Sequence, residues 1–153
     1  MIFYYLDASA WVKRYYRDSG TNSIQGLFAA EQKLACASLG FIEVMATLAR
    51  KRKARDIDSA AFEQKSGELE SDWERFIQIQ LSAEAVELAK VMARMLALRG
   101  ADAIHLASAL ILQERFVDED DRLVLVTSDR ELKEAGKISG LIVMNPEEGE
   151  LDL

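Results

Sequence analysis

Four acids stand where an otherwise apolar pattern breaks. Asp7 closes the run IFYYL, Asp102 heads the apolar segment GADAIHLASAL, and Asp129 follows the run RLVLVT. Glu43 lies among Phe41, Ile42, Val44 and Met45. Carboxylates brought to one point repel each other unless a cation cancels their charge. A hard divalent cation with oxygen ligands does so; Mg²⁺ suits a few carboxylates plus waters, and Mn²⁺ can replace it. Such sites polarise a phosphoryl oxygen and generate hydroxide from bound water. Ser9 and Thr127 add hydroxyls beside two of the acids, where they can orient the carboxylates. Each acid also has a purely structural reading. Asp102 can cap a helix, Asp129 can sit in a first helical turn that favours acids, and Glu43 can face solvent. Asp7, at the end of a strongly apolar strand, resists that reading most.

The elements that must position these acids alternate. Residues 2–6, 34–38, 76–81, 122–127 and 141–144 are short, β-branched or apolar runs that read as strands. Helical spacing or caps mark residues 9–16, 21–32, the segment GFIEVMATLARKRK, 56–73 with Asp56 or Asp58 as cap, and 83–98 after Ser82 with a stop at Gly100. A further helix covers 102–113, and Ser128 with Glu131 predicts a capping box for a short helix to Ala135. Strands alternating with helices predict an α/β domain, a mostly parallel sheet with helices on both faces. In such sheets sites form outside the carboxyl ends of the strands, and Asp7 and Asp129 fall there.

Composition narrows the class. The chain has 153 residues, half of them hydrophobic and 29% charged. That fits one soluble domain over residues 1–153 with a sizeable core. One proline and no Gly/Ser-rich linker leave no obvious boundary. The lone Cys36, in a small apolar run, excludes an internal disulfide and reads as a buried, inert thiol in a reducing compartment. No stretch has the length of a membrane span, and the opening MIFYYLD lacks the basic head of a signal peptide. The expected location is cytoplasmic. A net charge of −7 argues against nonspecific nucleic-acid binding by bulk charge, although acids gathered around a metal would inflate that count.

Taken together, the motifs resemble PIN-domain nucleases. YYLDASAWVKRYYRDSG resembles the family's first strand, which ends in Asp-x-Ser or Asp-x-Thr. GADAIHLASAL resembles its central Asp followed by a His-Leu-Ala segment, LVTSDREL its late Thr-x-Asp, and LGFIEVMATLAR holds the place of its helical Glu. The set follows the family's order from residue 1 to about 144, and the length matches the compact VapC-like toxins of toxin–antitoxin pairs. The resemblance implies a PIN-like three-layer α/β/α fold with about five parallel strands. It implies an endoribonuclease dependent on Mg²⁺ or Mn²⁺, with Asp7, Glu43, Asp102 and Asp129 as the catalytic, metal-holding quartet and Ser9 and Thr127 beside them. The partners it implies are an RNA substrate, an antitoxin whose C-terminal segment covers the site, and a second copy of the chain in a homodimer. A phosphatase of the haloacid-dehalogenase type would want an Asp where Ser9 stands. Another metal-dependent phosphohydrolase, or a PIN-like module that binds RNA or protein without catalysis, remains the alternative.

Other features carry paired readings. His105, the only histidine, reads as a core residue hydrogen-bonded near the site rather than a general acid. The basic run RKRKAR holds Arg50, Lys51, Arg52 and Lys53, either a solvated helix end or a phosphate track for RNA. Tyr4 and Tyr5 are core. Trp11, Tyr15 and Tyr16 follow the first acid on a short helix and are candidates for a dimer or antitoxin surface. The run DEDD at 118–121 departs from the family pattern and reads as an acidic, solvated loop.

Overall fold

The computed structural model describes residues 1–149; positions 150–153 of the single-domain expectation lie outside them. Five strands, β1 (Ile2–Leu6), β2 (Lys33–Ala37), β3 (Ile77–Ile79), β4 (Arg122–Val126) and β5 (Ile142–Met144), form one sheet in the order β3-β2-β1-β4-β5. Every adjacent pair is parallel, where the expectation was only mostly parallel. The helices are α1 (Ala8–Trp11), α2 (Thr21–Ala29), α3 (Ser38–Lys53), α4 (Ser59–Trp73), α5 (Ala83–Leu96), α6 (Gly100–Phe116) and α7 (Arg130–Ile138), with a 3-10 turn at Val12–Arg14 after α1. They cover both faces of the sheet in a three-layer α/β/α fold. Strands covered on both faces must be apolar throughout. Accordingly Tyr5, Leu6, Val124, Leu125 and Val126 are fully buried.

The order of the strands locates the crevice. From β1 the chain steps outward to β2 and β3, then crosses to the other side of β1 for β4 and β5. The direction reverses between β1 and β4, and a ligand crevice opens at such a switch point. Leu6 pairs with Val126, and the Asp7 N–H donates to the Val126 carbonyl at 3.1 Å. Asp7 and Thr127 therefore leave the sheet side by side. Helix α6 brings its first turn to the same end. It is apolar on nearly every side, with Ala103, Leu106, Ala107, Ala109 and Leu112 buried, which is the pattern of a helix enclosed by its neighbours.

The structure corrects several local expectations. Asp102 is not a cap; α6 begins at Gly100, and Arg99 holds the cap position without a side-chain bond. Gly100 starts that helix rather than stopping α5, which ends at Leu96 with Ala97 in left-handed backbone at φ +53°. At α7 the capping side chain is Asp129, which accepts from the Leu132 N–H at 2.9 Å, in place of Ser128 with Glu131. Asp58, not Asp56, caps α4. The first helix is a single short turn because Asp7 itself caps it, accepting from Ala10 N–H at 3.0 Å.

The largest correction concerns the aromatics. Trp11 is fully buried and Tyr15 nearly so, so neither belongs to an exposed surface. Trp11 stacks on Phe76 with ring centroids 4.4 Å apart, and its indole N–H donates to the Tyr15 hydroxyl. Tyr15 in turn donates to the buried carboxylate of Asp72, which also accepts from Arg14 and Arg75. Tyr16 lies half-buried beneath the Lys51 ammonium. These rings join α1, α4 and the edge of β3 into the core. The DEDD run lies before β4, at the opposite end of the strands from Asp7, and Asp121 pairs with the N-terminal ammonium at 3.1 Å. Among the described residues no single helix is long and apolar enough to cross a membrane.

Candidate active site

Asp7 is held by the two elements it joins. Its carboxylate accepts from the Ser9 hydroxyl at 2.7 and 2.9 Å and from the Thr127 hydroxyl at 2.7 Å. Those hydroxyls are themselves fixed, because the Ser128 N–H donates to Ser9 and the Asp129 N–H donates to Thr127, both at 3.0 Å. The ends of β1 and β4 are thus laced together through one buried carboxylate. Burial raises the affinity of Asp7 for its proton, against the lowering effect of His105 and of the hydrogen bonds from Thr127, Ser9 and Ala10. The carboxylate is orientationally locked yet electrostatically costly, a state that a nearby cation relieves.

Asp102 enters from the first turn of α6. It is 9% exposed, and its Oδ2 is buried with no hydrogen-bond partner. Native proteins rarely leave such an atom without a hydrogen bond, and its nearest cationic neighbour is the Arg99 Nε at 3.4 Å. Burial, followed by the charge of Asp129, raises its pKa above the ordinary value. Asp129 arrives from the start of α7. Its Oδ1 is used by the helix cap, while its Oδ2 accepts from the Arg99 guanidinium at 2.9 Å.

Glu43 arrives from α3 by a different device. Any Cβ on Gly40 would lie 2.2 Å from the Cys36 sulfur and 3.1 Å from the His105 ring. Only glycine lets the start of α3 pack this closely. One turn later the Glu43 carboxylate accepts from His105 Nε2–H at 2.6 Å. The other edge of that imidazole is hydrogen-bonded with the Tyr5 hydroxyl at 2.8 Å, and Tyr5 accepts from the Ala37 N–H. Burial works against charge on the ring; Tyr5, Cys36 and Glu43 outweigh it and raise His105 well above the ordinary histidine range. Burial also raises Tyr5 and Cys36, which keep their protons at neutral pH. Glu43 is the carboxylate hydrogen-bonded to His105, and a buried chain Ala37–Tyr5–His105 aims it.

All four acids line one cavity of about 310 Å³, together with Ser9, His105 and Arg99. A larger cavity of about 520 Å³ opens at the other end of the strands. Its walls include Phe3, Phe28, Phe76 and aliphatic side chains, and of its two acids, Glu31 and Asp72, the second is already paired with Arg75. The smaller cavity is the one that gathers Asp7, Glu43, Asp102 and Asp129. The donor set there is hard oxygen, which fits Mg²⁺ or Mn²⁺, and the orphaned Asp102 Oδ2 is an atom such a cation would satisfy. Among the described residues no three acidic, histidine or cysteine side chains are drawn together as a ready metal cage. The acids are engaged instead by Arg99 and His105. The motif-based reading of the sequence did not include Arg99; its only signal there is a position three residues before Asp102, at a helix entry.

Comparison with known proteins agrees with this geometry. The PIN domain model matches residues 4–138. Ribonucleases VapC45 and VapC49, from two strains of Mycobacterium tuberculosis, are each 34% identical over 140 residues, covering 89% of this chain and 90% of theirs. Among solved structures, VapBC2 from Rickettsia felis bound to a promoter DNA fragment superposes with a TM-score of 0.63 at 22% identity, covering 95% of this chain and 98% of that one. A toxin–antitoxin complex from Klebsiella pneumoniae gives 0.64 at 19% identity, covering 93% and 96%. A strand order that opens its crevice between β1 and β4, and a sequence that matches ribonucleases along nearly all their length, place this chain in the PIN-domain family, in its VapC branch.

Proposed function

We propose that this chain is a divalent-cation-dependent endoribonuclease that hydrolyses RNA phosphodiester bonds, and that it is the toxin of a toxin–antitoxin pair. The observation that carries the reading is the meeting of Asp7, Glu43, Asp102 and Asp129 in one cavity at the switch point of a PIN fold. Asp7, Asp102, Asp129 and Glu43 would hold Mg²⁺ or Mn²⁺. When bound, the cation supplies Lewis-acid stabilisation of phosphoryl charge and lowers the pKa of water. The side chains do the positioning. Ser9 and Thr127 keep both Asp7 oxygens in fixed directions, and His105 keeps Glu43 from turning to solvent. None of the four acids is asked to transfer a proton.

The solved structures named above include toxin–antitoxin complexes, which supports an antitoxin as partner, and the relatives named ribonucleases support RNA as substrate. A homodimer, a cytoplasmic location and one domain over the whole chain belong to the same proposal. Arg50, Lys51, Arg52 and Lys53 end the helix that carries Glu43 and would lead phosphates toward the acids. Lys51 and Arg52 lie over the rings of Tyr16 and Phe62 at 4.2 and 4.0 Å, and Arg50 donates to the Thr47 hydroxyl at 3.2 Å.

A pool of single-stranded RNA oligonucleotides of mixed sequence tests the reading. Cleavage fragments are expected with Mn²⁺ or Mg²⁺ and not with a chelator. Asp7→Asn should lower the rate by more than the roughly 10–100-fold that follows loss of a metal ligand's supporting partner. Fragments that form in the chelator, or an unchanged rate in Asp7→Asn, would defeat it. RNA binding without cleavage under every condition would favour a binding module.

A further inference from the structure

Among the described residues Arg99 is the only arginine or lysine lining the acidic cavity. Its guanidinium spans two acids. One nitrogen donates to Asp129 Oδ2 at 2.9 Å, and Nε lies 3.4 Å from Asp102 Oδ2. The atoms matter more than the pairing. Asp129 Oδ1 accepts from the Leu132 N–H, whereas its Oδ2 accepts from Arg99. Asp102 Oδ2 is the buried oxygen with no hydrogen bond. Arg99 thus covers the very oxygens with which Asp102 and Asp129 would hold a metal. A guanidinium and a divalent cation cannot share them, since both are positive and only a few ångströms apart.

The arm is built to leave. Its side chain is 72% exposed, and an exposed ion pair contributes little. It springs from a chain turn under strain, because Ala97, two residues earlier, takes left-handed backbone at φ +53° without being glycine. That turn joins α5 to α6 and sets Arg99 at the mouth of the cavity instead of on the outer surface of either helix. Strain of this kind clusters at functional sites, where the surroundings hold it.

We propose that Arg99 is a built-in counter-ion of the acidic site that competes with the divalent cation for Asp102 and Asp129, and so sets the cation concentration at which the site loads. The proposal rests on the metal-site reading above. It differs from a general charge effect because it assigns the competition to one bridging side chain. Lysine, a point charge without the planar fork, holds one carboxylate at a time and competes less.

Calorimetric titration of Mn²⁺ into the protein, without RNA, tests this. Arg99→Ala is expected to bind Mn²⁺ about 3–10-fold more tightly than wild type, the equivalent of one or two exposed ion pairs, with Arg99→Lys between them. Arg94→Ala removes the same charge from an exposed position on α5 outside the cavity, and should stay within about twofold of wild type. Mn²⁺ affinity equal to or weaker than wild type in Arg99→Ala would overturn the proposal, and so would an equal gain in Arg94→Ala. Absence of Mn²⁺ binding to both wild type and Arg99→Ala would overturn the metal-site reading itself, and this one with it. The arm's exposure makes loss of folding in Arg99→Ala a minor concern, which the melting curve of the same sample checks.

Discussion

Thr127 shows how much of the site is carried by residues other than the acids. Its hydroxyl donates to Asp7 and accepts from the Asp129 N–H, so one side chain fixes two of the proposed ligands. Thr127→Val keeps the shape and removes both bonds. It should cost about 10–100-fold in Mn²⁺ affinity or in RNA cleavage, read by titration calorimetry or by the oligonucleotide assay; an effect under about twofold would mean that Asp7 is held well enough by Ser9 and the Ala10 N–H. The acids themselves are legible in sequence because each interrupts an apolar run. Their convergence is not, since it depends on Leu6 lying beside Val126 and on a glycine that lets α3 approach His105. Arg99 is illegible for the same reason: an arginine before a helix is ordinary until the turn that aims it is known. Trp11 and Tyr15 misled in the opposite direction. Their short helix looks like a surface feature in sequence, and the rings of Phe41, Trp73 and Phe76, from far along the chain, bury it.

At the scale of elements, the alternation of strands and helices was readable throughout, because a parallel sheet demands apolar strands and amphipathic or fully apolar helices in turn. The ends were not. The alternating run at 76–81 becomes only Ile77–Ile79 because β3 is an edge strand with one neighbour, β2. Local chemistry offered competing caps at 128–131 and 56–58, and packing chose between them. The α5–α6 turn is the element most open to change. Ala97 occupies a conformation that costs a non-glycine residue roughly 1–2 kcal/mol, partly offset by the greater chain entropy that glycine loses on folding. Ala97→Gly should raise the melting temperature by about 2–4 °C, corresponding to a gain near 1 kcal/mol in a chain of this size. A fall in melting temperature would show that the alanine methyl makes contacts worth more than the strain.

Across the whole molecule, two sets of buried acids pull in opposite directions. Asp72 sits at the far end of the sheet among Arg14, Tyr15 and Arg75. Burial alone would raise its pKa; those partners overcome it and hold the carboxyl below the ordinary carboxylate range. An acid with a lowered native pKa stabilises the fold above its unfolded value, near 3.9, and loses that contribution as pH falls through the native value. Asp72→Asn should therefore cost about 3 kcal/mol between pH 5 and 7, the lower end for one partner of a buried pair, and the gap from wild type should shrink below pH 4. A gap that stays constant to pH 3 would contradict the ionic origin. Asp7 and Asp102 have the reverse sign. Their pKa values are raised, so the folded protein gains stability as pH falls through those values, and their ionised forms are costly at neutral pH. The core end of the fold is thus self-satisfied, and the crevice end carries more acid than the Arg99 and His105 beside it balance. The most direct test is thermal melting of wild type and Asp102→Asn across a Mn²⁺ titration at neutral pH. Wild type should gain about 2.7 kcal/mol at a hundredfold excess over the dissociation constant, roughly 5–11 °C. Asp102→Asn should melt higher than wild type in chelator and show little further rise with Mn²⁺. A wild-type melting temperature that does not move, or an equal rise in Asp102→Asn, would contradict a shared cation site at Asp7, Glu43, Asp102 and Asp129.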